Sequence, residues 1–188
     1  MDLGKAEDAV RQFLAALDVD IGARGMERTP ERVAKLFAER FSGLGQDAAA
    51  ALGKPFQTDS EGLVAVERIP FASLCEHHLV PFYGTVDIMY LPHAGQVAGF
   101  SHFVSMVDAL ARRPQLQERL THEIAEAAQR GLGADGVLVV CRARQFCMLL
   151  KEERTQQTVT VTSEALGALK EPCRAAEAWA VLGNREER

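Results

Sequence analysis

The sequence has little that would tie it to a membrane, to nucleic acid or to an oxidising compartment. No apolar run approaches the roughly 20 residues needed to span a bilayer. Lys5, Glu7 and Asp8 stand where a secretory leader needs an apolar stretch, so a cytoplasmic protein with no membrane partner is expected. Basic charge is short as well: 21 Lys and Arg against 26 Asp and Glu leave a net charge of −5. The chain therefore lacks the basic excess by which a general nucleic-acid binder neutralises phosphates, although a local basic pocket for a small anion stays open. Four cysteines (Cys75, Cys141, Cys147 and Cys173) in 188 residues are too few for a disulfide scaffold, which leaves reduced thiols or metal ligands. Internal repeats and low-complexity stretches are also missing.

What is present is an ordinary globular composition, 47% hydrophobic and 25% charged, and a length that suits one domain with an added terminal segment. Val10, Phe13, Leu14 and Leu17 recur at helical spacing and predict an amphipathic helix over residues 5–17. Thr29-Pro30 is a helix start, with Thr as cap and Pro at the first helical position; Val33, Leu36, Phe37 and Phe41 are expected inward. Residues 45–61 read as a connecting segment, with a short helical turn at Ala48–Leu52. Strand character begins at Gly62, so the organisation expected is an N-terminal helical segment, 1–61, and a domain at 62–188. In that domain a strand from Leu63 runs into Cys75, and a second, Gly84–Tyr90, places Val86, Ile88 and Tyr90 on one face. After an extended piece at Val97–Ser101, two helices are expected, Phe103–Arg112 and Pro114–Arg130, the second stopped by Gly131. Strands at Val137–Leu150 and Thr158–Ser163, a helix at Cys173–Leu182 and a charged tail complete the chain. Two hairpins separated by a helical pair indicate an α+β fold, an antiparallel sheet with helices packed on one face.

The densest chemistry lies in Cys75-Glu76-His77-His78. Cys75 and His78 stand at C-x-x-H spacing, which lets one tight turn offer sulfur and nitrogen to the same ion, but a packed thiol and a solvated imidazole read equally from that spacing. Period-two counting puts Val139, Cys141, Ala143, Gln145 and Cys147 on one face of the long strand. Cys147 is thereby either a third ligand or a small core residue, and the strand pattern by itself favours the core. A Cys2His set would leave a fourth tetrahedral position for water, as in catalytic zinc sites.

Several motifs in order change this balance. Ser73-Leu74-Cys75-Glu76-His77-His78-Leu79-Val80-Pro81-Phe82-Tyr83-Gly84, Val97-Ala98-Gly99-Phe100-Ser101, Arg113-Pro114-Gln115-Leu116-Gln117-Glu118-Arg119-Leu120, Phe146-Cys147-Met148 and the upstream Thr29-Pro30-Glu31-Arg32-Val33-Ala34-Lys35 together resemble the GTP cyclohydrolase I family. The resemblance covers about residues 20–167. It implies a tunnelling fold (T-fold), a homodecamer of two pentamers with active sites between subunits, and a guanine nucleotide or related purine as substrate. It implies Zn2+ held by Cys75, His78 and Cys147, making water nucleophilic near neutral pH. His77 would move a proton at the purine imidazole, the role suited to a side chain that titrates near neutrality. Gln117 and Glu118 would recognise guanine, whose N1/N2 edge offers two N–H donors to an ionised carboxylate. Ser101 and the basic Arg32 and Lys35 would contact the triphosphate.

The sequence departs from the family at two places. Where the family carries a second acid/base histidine, two residues before the second cysteine ligand, this chain has Gln145, which exchanges no proton near neutrality; such assistance is worth roughly 100- to 10,000-fold. In the phosphate region His102 and Ser105 stand at usually basic positions, and Lys151-Glu152-Glu153 follows the second cysteine, leaving Lys151 or Arg154 as substitutes. Three readings follow: the complete conversion of GTP and water to 7,8-dihydroneopterin triphosphate and formate; a divergent paralogue that stops at ring opening or deformylation, or acts on a guanine-type purine with fewer phosphates; and a non-catalytic zinc-containing assembly subunit.

Overall fold

The computed structural model describes residues 1–59, 61–151 and 157–183. Glu152, Glu153, Arg154 and the charged tail at 184–188 lie outside them. The chain forms two compact units, Met1–Ser42 and Gly43–Arg188.

The first unit is a helix pair. α1 (Leu3–Ala16) is capped by the Asp2 carboxylate, which accepts from the Lys5 amide at 3.0 Å. No residue of α1 is buried, and Phe13 is 63% exposed. α2 (Thr29–Arg40) begins with Thr29 as its first helical residue rather than its cap; the Thr29 hydroxyl turns to the Met26 sulfur at 3.6 Å instead. Pro30 and Ala34 form its buried line. Leu36, two residues and about 200° beyond Ala34, is exposed, contrary to the inward position expected. Glu31 pairs with Arg28 at 3.0 Å and with Lys35 at 2.6 Å on the solvent side.

In the second unit residues 43–61 are more than a connector. Ala50–Leu52 forms a 3-10 turn, with Ala48, Ala49 and Leu52 buried. β1 (Phe56–Gln57) pairs with β4 (Gln96–Val97), and the five-stranded sheet follows. β2 (Val64–Cys75) and β3 (Pro81–Leu91) are an antiparallel hairpin. β6 (Gly136–Gln145) and β7 (Thr160–Gly167) extend it, and β5 (Pro114–Gln115) adds to β2 in parallel, in the order β5-β2-β3-β6-β7.

α3 (Phe100–Ala111) and α4 (Gln117–Leu132) cover one face of this sheet. Val86, Ile88, Tyr90, Val139 and Cys141 meet Phe103, Met106, Leu120 and Ile124 there, all at 0% exposure. Each fully buried aliphatic side chain contributes roughly 1.5–3 kcal/mol, so this layer carries much of the fold's stability. The C-terminal helix α6 (Pro172–Gly183) takes the opposite face, with Ala178 and Leu182 beside Met89, Leu138 and Val140.

Several expected boundaries move: α3 begins at Phe100, inside the extended piece expected at Val97–Ser101, β3 begins at Pro81 rather than Gly84, and β7 runs Thr160–Gly167 rather than Thr158–Ser163. α4 starts at Gln117, not Pro114, because Pro114 and Gln115 are drawn into register with Leu74 and Cys75. It passes Gly131, which lies so close to the 3-10 turn that a Cβ would stand 2.7 Å from Leu52 Cδ1, and ends at Gly133 with φ of 62°. β6 ends at Gln145, and Phe146–Leu149 is a single helical turn, α5.

Candidate metal centre and adjoining cavity

Cys75 is the last residue of β2, and the turn to β3 closes on it. The Cys75 amide donates to Val80 O at 2.9 Å, while its own carbonyl accepts from Leu79 at 2.7 Å and from His78 at 3.3 Å. So tight a reversal forces Leu79 into the left-handed region, with φ of 53°. The turn is fastened from behind by Glu76. Its amide donates to Gln115 O at 3.0 Å, and its carboxylate takes a charge-assisted bond from Arg119. Arg119 also donates to Gln115 Oε1 at 2.9 Å and Pro114 O at 3.1 Å. Gln115 is 1% exposed and in turn donates to Leu110 O at 3.2 Å and Glu123 at 2.8 Å. Glu76 thus faces away from metal chemistry while its neighbours face toward it.

Cys75, His78 and Cys147 place their ligand atoms within 4.8 Å of one another, the one such His, Cys or acidic trio among the described residues. A tetrahedral ion about 2.3 Å from sulfur and about 2.0 Å from nitrogen needs ligand atoms roughly 3.3–3.8 Å apart. Two sulfurs and an imidazole gathered within 4.8 Å suit a borderline-soft divalent cation, with one position left open. Cys147 reaches the trio from α5, not from the inward face of a strand as alternation predicts; the turn after Gln145 bends it back. Burial, then the neighbouring Cys75 sulfur, push the Cys147 thiol up. Cys141 belongs to the core instead: it is fully buried, and burial pushes its thiol up to about 12.

Beside the trio lies a cavity of about 440 Å3. Cys75, His77, Gln117, Glu118, Gln145 and Cys147 all border it. His77 is exposed and set edge-to-face with His78, ring centres 6.3 Å apart. Glu118, in the first turn of α4, is also exposed, where the helix dipole favours an anion. Gln117 is different: it is 5% exposed, and its amide nitrogen donates to Cys141 O at 3.2 Å, Thr160 O at 3.1 Å and Thr162 Oγ1 at 3.2 Å. Its side chain is committed to the wall. Gln145 donates through Nε2 to Gln117 Oε1 at 2.8 Å.

Of the remaining sequence candidates in the second unit, Ser101, His102 and Lys151 do not line this cavity. Ser101 and His102 are exposed in the first turn of α3, and the His102 ring lies over Gly53. Lys151 is exposed just after α5. Arg32 and Lys35 belong to the first unit, exposed on α2, with Lys35 held by Glu31. Sequence reasoning missed Thr160, whose hydroxyl donates to Gln117 Oε1. The signal was the Thr158-Val159-Thr160-Val161-Thr162 alternation, which puts Thr160 and Thr162 on one face. Arg119 was also missed, because its partner Glu76 is 43 positions away.

The model of the family described as GTP cyclohydrolase I matches residues 6–182. The GTP cyclohydrolase 1 of Lysinibacillus sphaericus (strain C3-41) is 46% identical over 171 residues, 91% of this chain and 90% of that protein. That of Desulforamulus reducens (strain ATCC BAA-1160 / DSM 100696 / MI-1) is 44% identical over 169 residues, 90% of each. Among solved structures, the archaeosine synthase QueF-Like in its apo form aligns with a TM-score of 0.47 and 20% identity, over 58% of this chain and 98% of that one.

Proposed function

The chain belongs to the GTP cyclohydrolase I family, and from that premise we propose that it is a zinc-dependent hydrolase that opens the imidazole ring of a guanine nucleotide at C8. The family reaction converts GTP and water to 7,8-dihydroneopterin triphosphate and formate. The observation that carries the reading is the convergence of a metal-competent trio, an exposed imidazole and an exposed carboxylate on one cavity. A chain that used zinc only to hold its fold would have no need of Glu118 and His77 at that cavity.

Each residue has a task that follows from its chemistry. Glu118, ionised, accepts from the N1–H and N2–H donors of guanine and fixes which edge of the base faces the metal. His77 delivers a proton to N7, which turns the imidazole into a better electrophile, and can take one back later. Cys75, His78 and Cys147 would hold the zinc, and Glu76 with Arg119 keeps their turn in place. When bound, zinc supplies the Lewis acidity that makes water nucleophilic near neutral pH. Arg32, Lys35, Lys151, Ser101 and His102 are assigned to the phosphates. Among the described residues of the second unit, Ser101, His102 and Lys151 do not line the cavity, so the assignment goes with a homo-oligomer, a decamer of this chain, in which neighbouring copies complete the site.

Gln145 favours a second reading. An amide supports no proton exchange, so a step that depends on a second acid/base group slows, and the reaction halts after ring opening or deformylation. One assay separates the readings. Zinc-loaded protein is incubated with GTP, GMP, guanosine and guanine, and products are followed by mass and absorbance. The family reaction gives 7,8-dihydroneopterin triphosphate from GTP. A ring-opened formamide without pterin selects the second reading, and no turnover of any of the four overturns both.

A further inference from the structure

The amides of Gln117 and Gln145 hold one another in a single orientation. Two of the three acceptors around Gln117 Nε2, Cys141 O and Thr160 O, are main-chain carbonyls that never donate. Turning the Gln117 amide over would set oxygen against oxygen, so its Oε1 must face the other way. There it accepts from the Thr160 hydroxyl and from Gln145 Nε2 at 2.8 Å. Gln145 is bound to give this bond from its NH2 end, which leaves its oxygen as the free end. Among the described residues nothing donates to that oxygen, and Gln145 lines the cavity together with Cys75 and Cys147.

We propose that Gln145 is a fixed hydrogen-bond acceptor, oriented by Gln117 and Thr160, that recognises the hydrated imidazole of the substrate in preference to the aromatic one. The inference rests on the guanine-ring reading above. In guanine the imidazole edge carries N7, an acceptor, and C8–H, so a fixed acceptor finds no donor there. Adding water changes this. The water oxygen bonds to C8, the π pair of C8=N7 moves onto N7, and N7 takes a proton as the water loses one. The adduct carries C8–OH and N7–H, two new donors. An acceptor with no partner in the resting base, and with one once N7 carries its proton and C8 its hydroxyl, lowers the barrier without tightening the ground state. The chain thereby replaces a proton carrier with a group that reads the product of the first step.

The test compares 8-oxo-GTP, which carries N7–H, with 7-deaza-GTP, which carries C–H at that position, by calorimetric titration of zinc-loaded protein. Wild type should prefer 8-oxo-GTP, and Gln145→Met should cut that preference by at least about fivefold, the order of one hydrogen bond, while zinc content and 7-deaza-GTP affinity hold. Thr160→Val, which keeps the side-chain shape and removes the hydroxyl that helps orient Gln117, should lose part of the preference. An equal preference in wild type and Gln145→Met overturns the role of Gln145 and leaves the guanine reading standing. Should Gln145→Met fail to fold, an unchanged preference in Thr160→Val overturns it instead. Binding of neither nucleotide by wild type overturns the guanine reading and this inference with it.

Discussion

Cys141 and Cys147 are six positions apart, and their surroundings separate a core thiol in β6 from a ligand thiol in α5. With its thiol pushed up to about 12, Cys141 stays protonated and packed between Thr121 and Thr162. In the native protein a maleimide should therefore label Cys147 once zinc is stripped and leave Cys141 untouched, as peptide mass mapping would show; labelling of Cys141 first would contradict this assignment. Cys147→Ser should lower zinc affinity by at least about tenfold in a chelator competition. Gln145→His restores a group that can carry a proton, and should raise pterin formation by up to about 100-fold over any activity found in the parent. The fluorescence of the oxidised pterin product measures it, and no gain would move the blame to the phosphate contacts. Much of this was legible beforehand. C-x-x-H is a local pattern and survives any global fold, so Cys75 and His78 could be singled out from four consecutive residues. The inward partnership of Gln117 could not, since it depends on Ala143 pairing with Thr160 across the sheet.

At the level of elements, the long strand read from Val137 to Leu150 was too long because a single helical turn leaves no periodicity of its own to detect. The same limit hid β5, whose two residues are strand only by virtue of their partner. The helices were more visible: α4 buries Leu120, Ile124 and Ala127 at helical spacing, a pattern that 16 residues repeat several times. Arg119 joins α4 to the metal turn, so Arg119→Ala should leave the fold intact by circular dichroism yet weaken zinc binding by roughly 10- to 100-fold, as removal of supporting partners around metal ligands does. Unchanged zinc affinity would mean that the turn holds itself. In α2, Arg28 first and then Lys35 hold the Glu31 carboxyl down at about 2, from its ordinary 4.5. A depressed carboxylate contributes stability that is present above pH 4.5 and lost as pH falls toward 2. The contribution is small, because the pair is solvent-exposed and screened by salt. Carbon-13 titration of the side chain should give a midpoint near 2, moving back toward 4.5 in Arg28→Ala.

For the molecule as a whole, the sheet ends in β7, whose outer edge pairs with no strand among the described residues. An open edge of this kind invites another chain, and Val161 on it is 56% exposed. Light scattering should return a multiple of the 20.5 kDa chain, ten for the assembly proposed; a monomer that turns over GTP would remove the need for neighbouring copies. One further consequence comes from β5. Cys75 is in register with Gln115, and Glu118 follows three residues later on the rigid start of α4. The metal turn and the start of α4 are thus tied together through a single strand pairing. A base accepted by Glu118, as proposed, would thereby be placed against Cys75 by main-chain pairing rather than by a flexible loop.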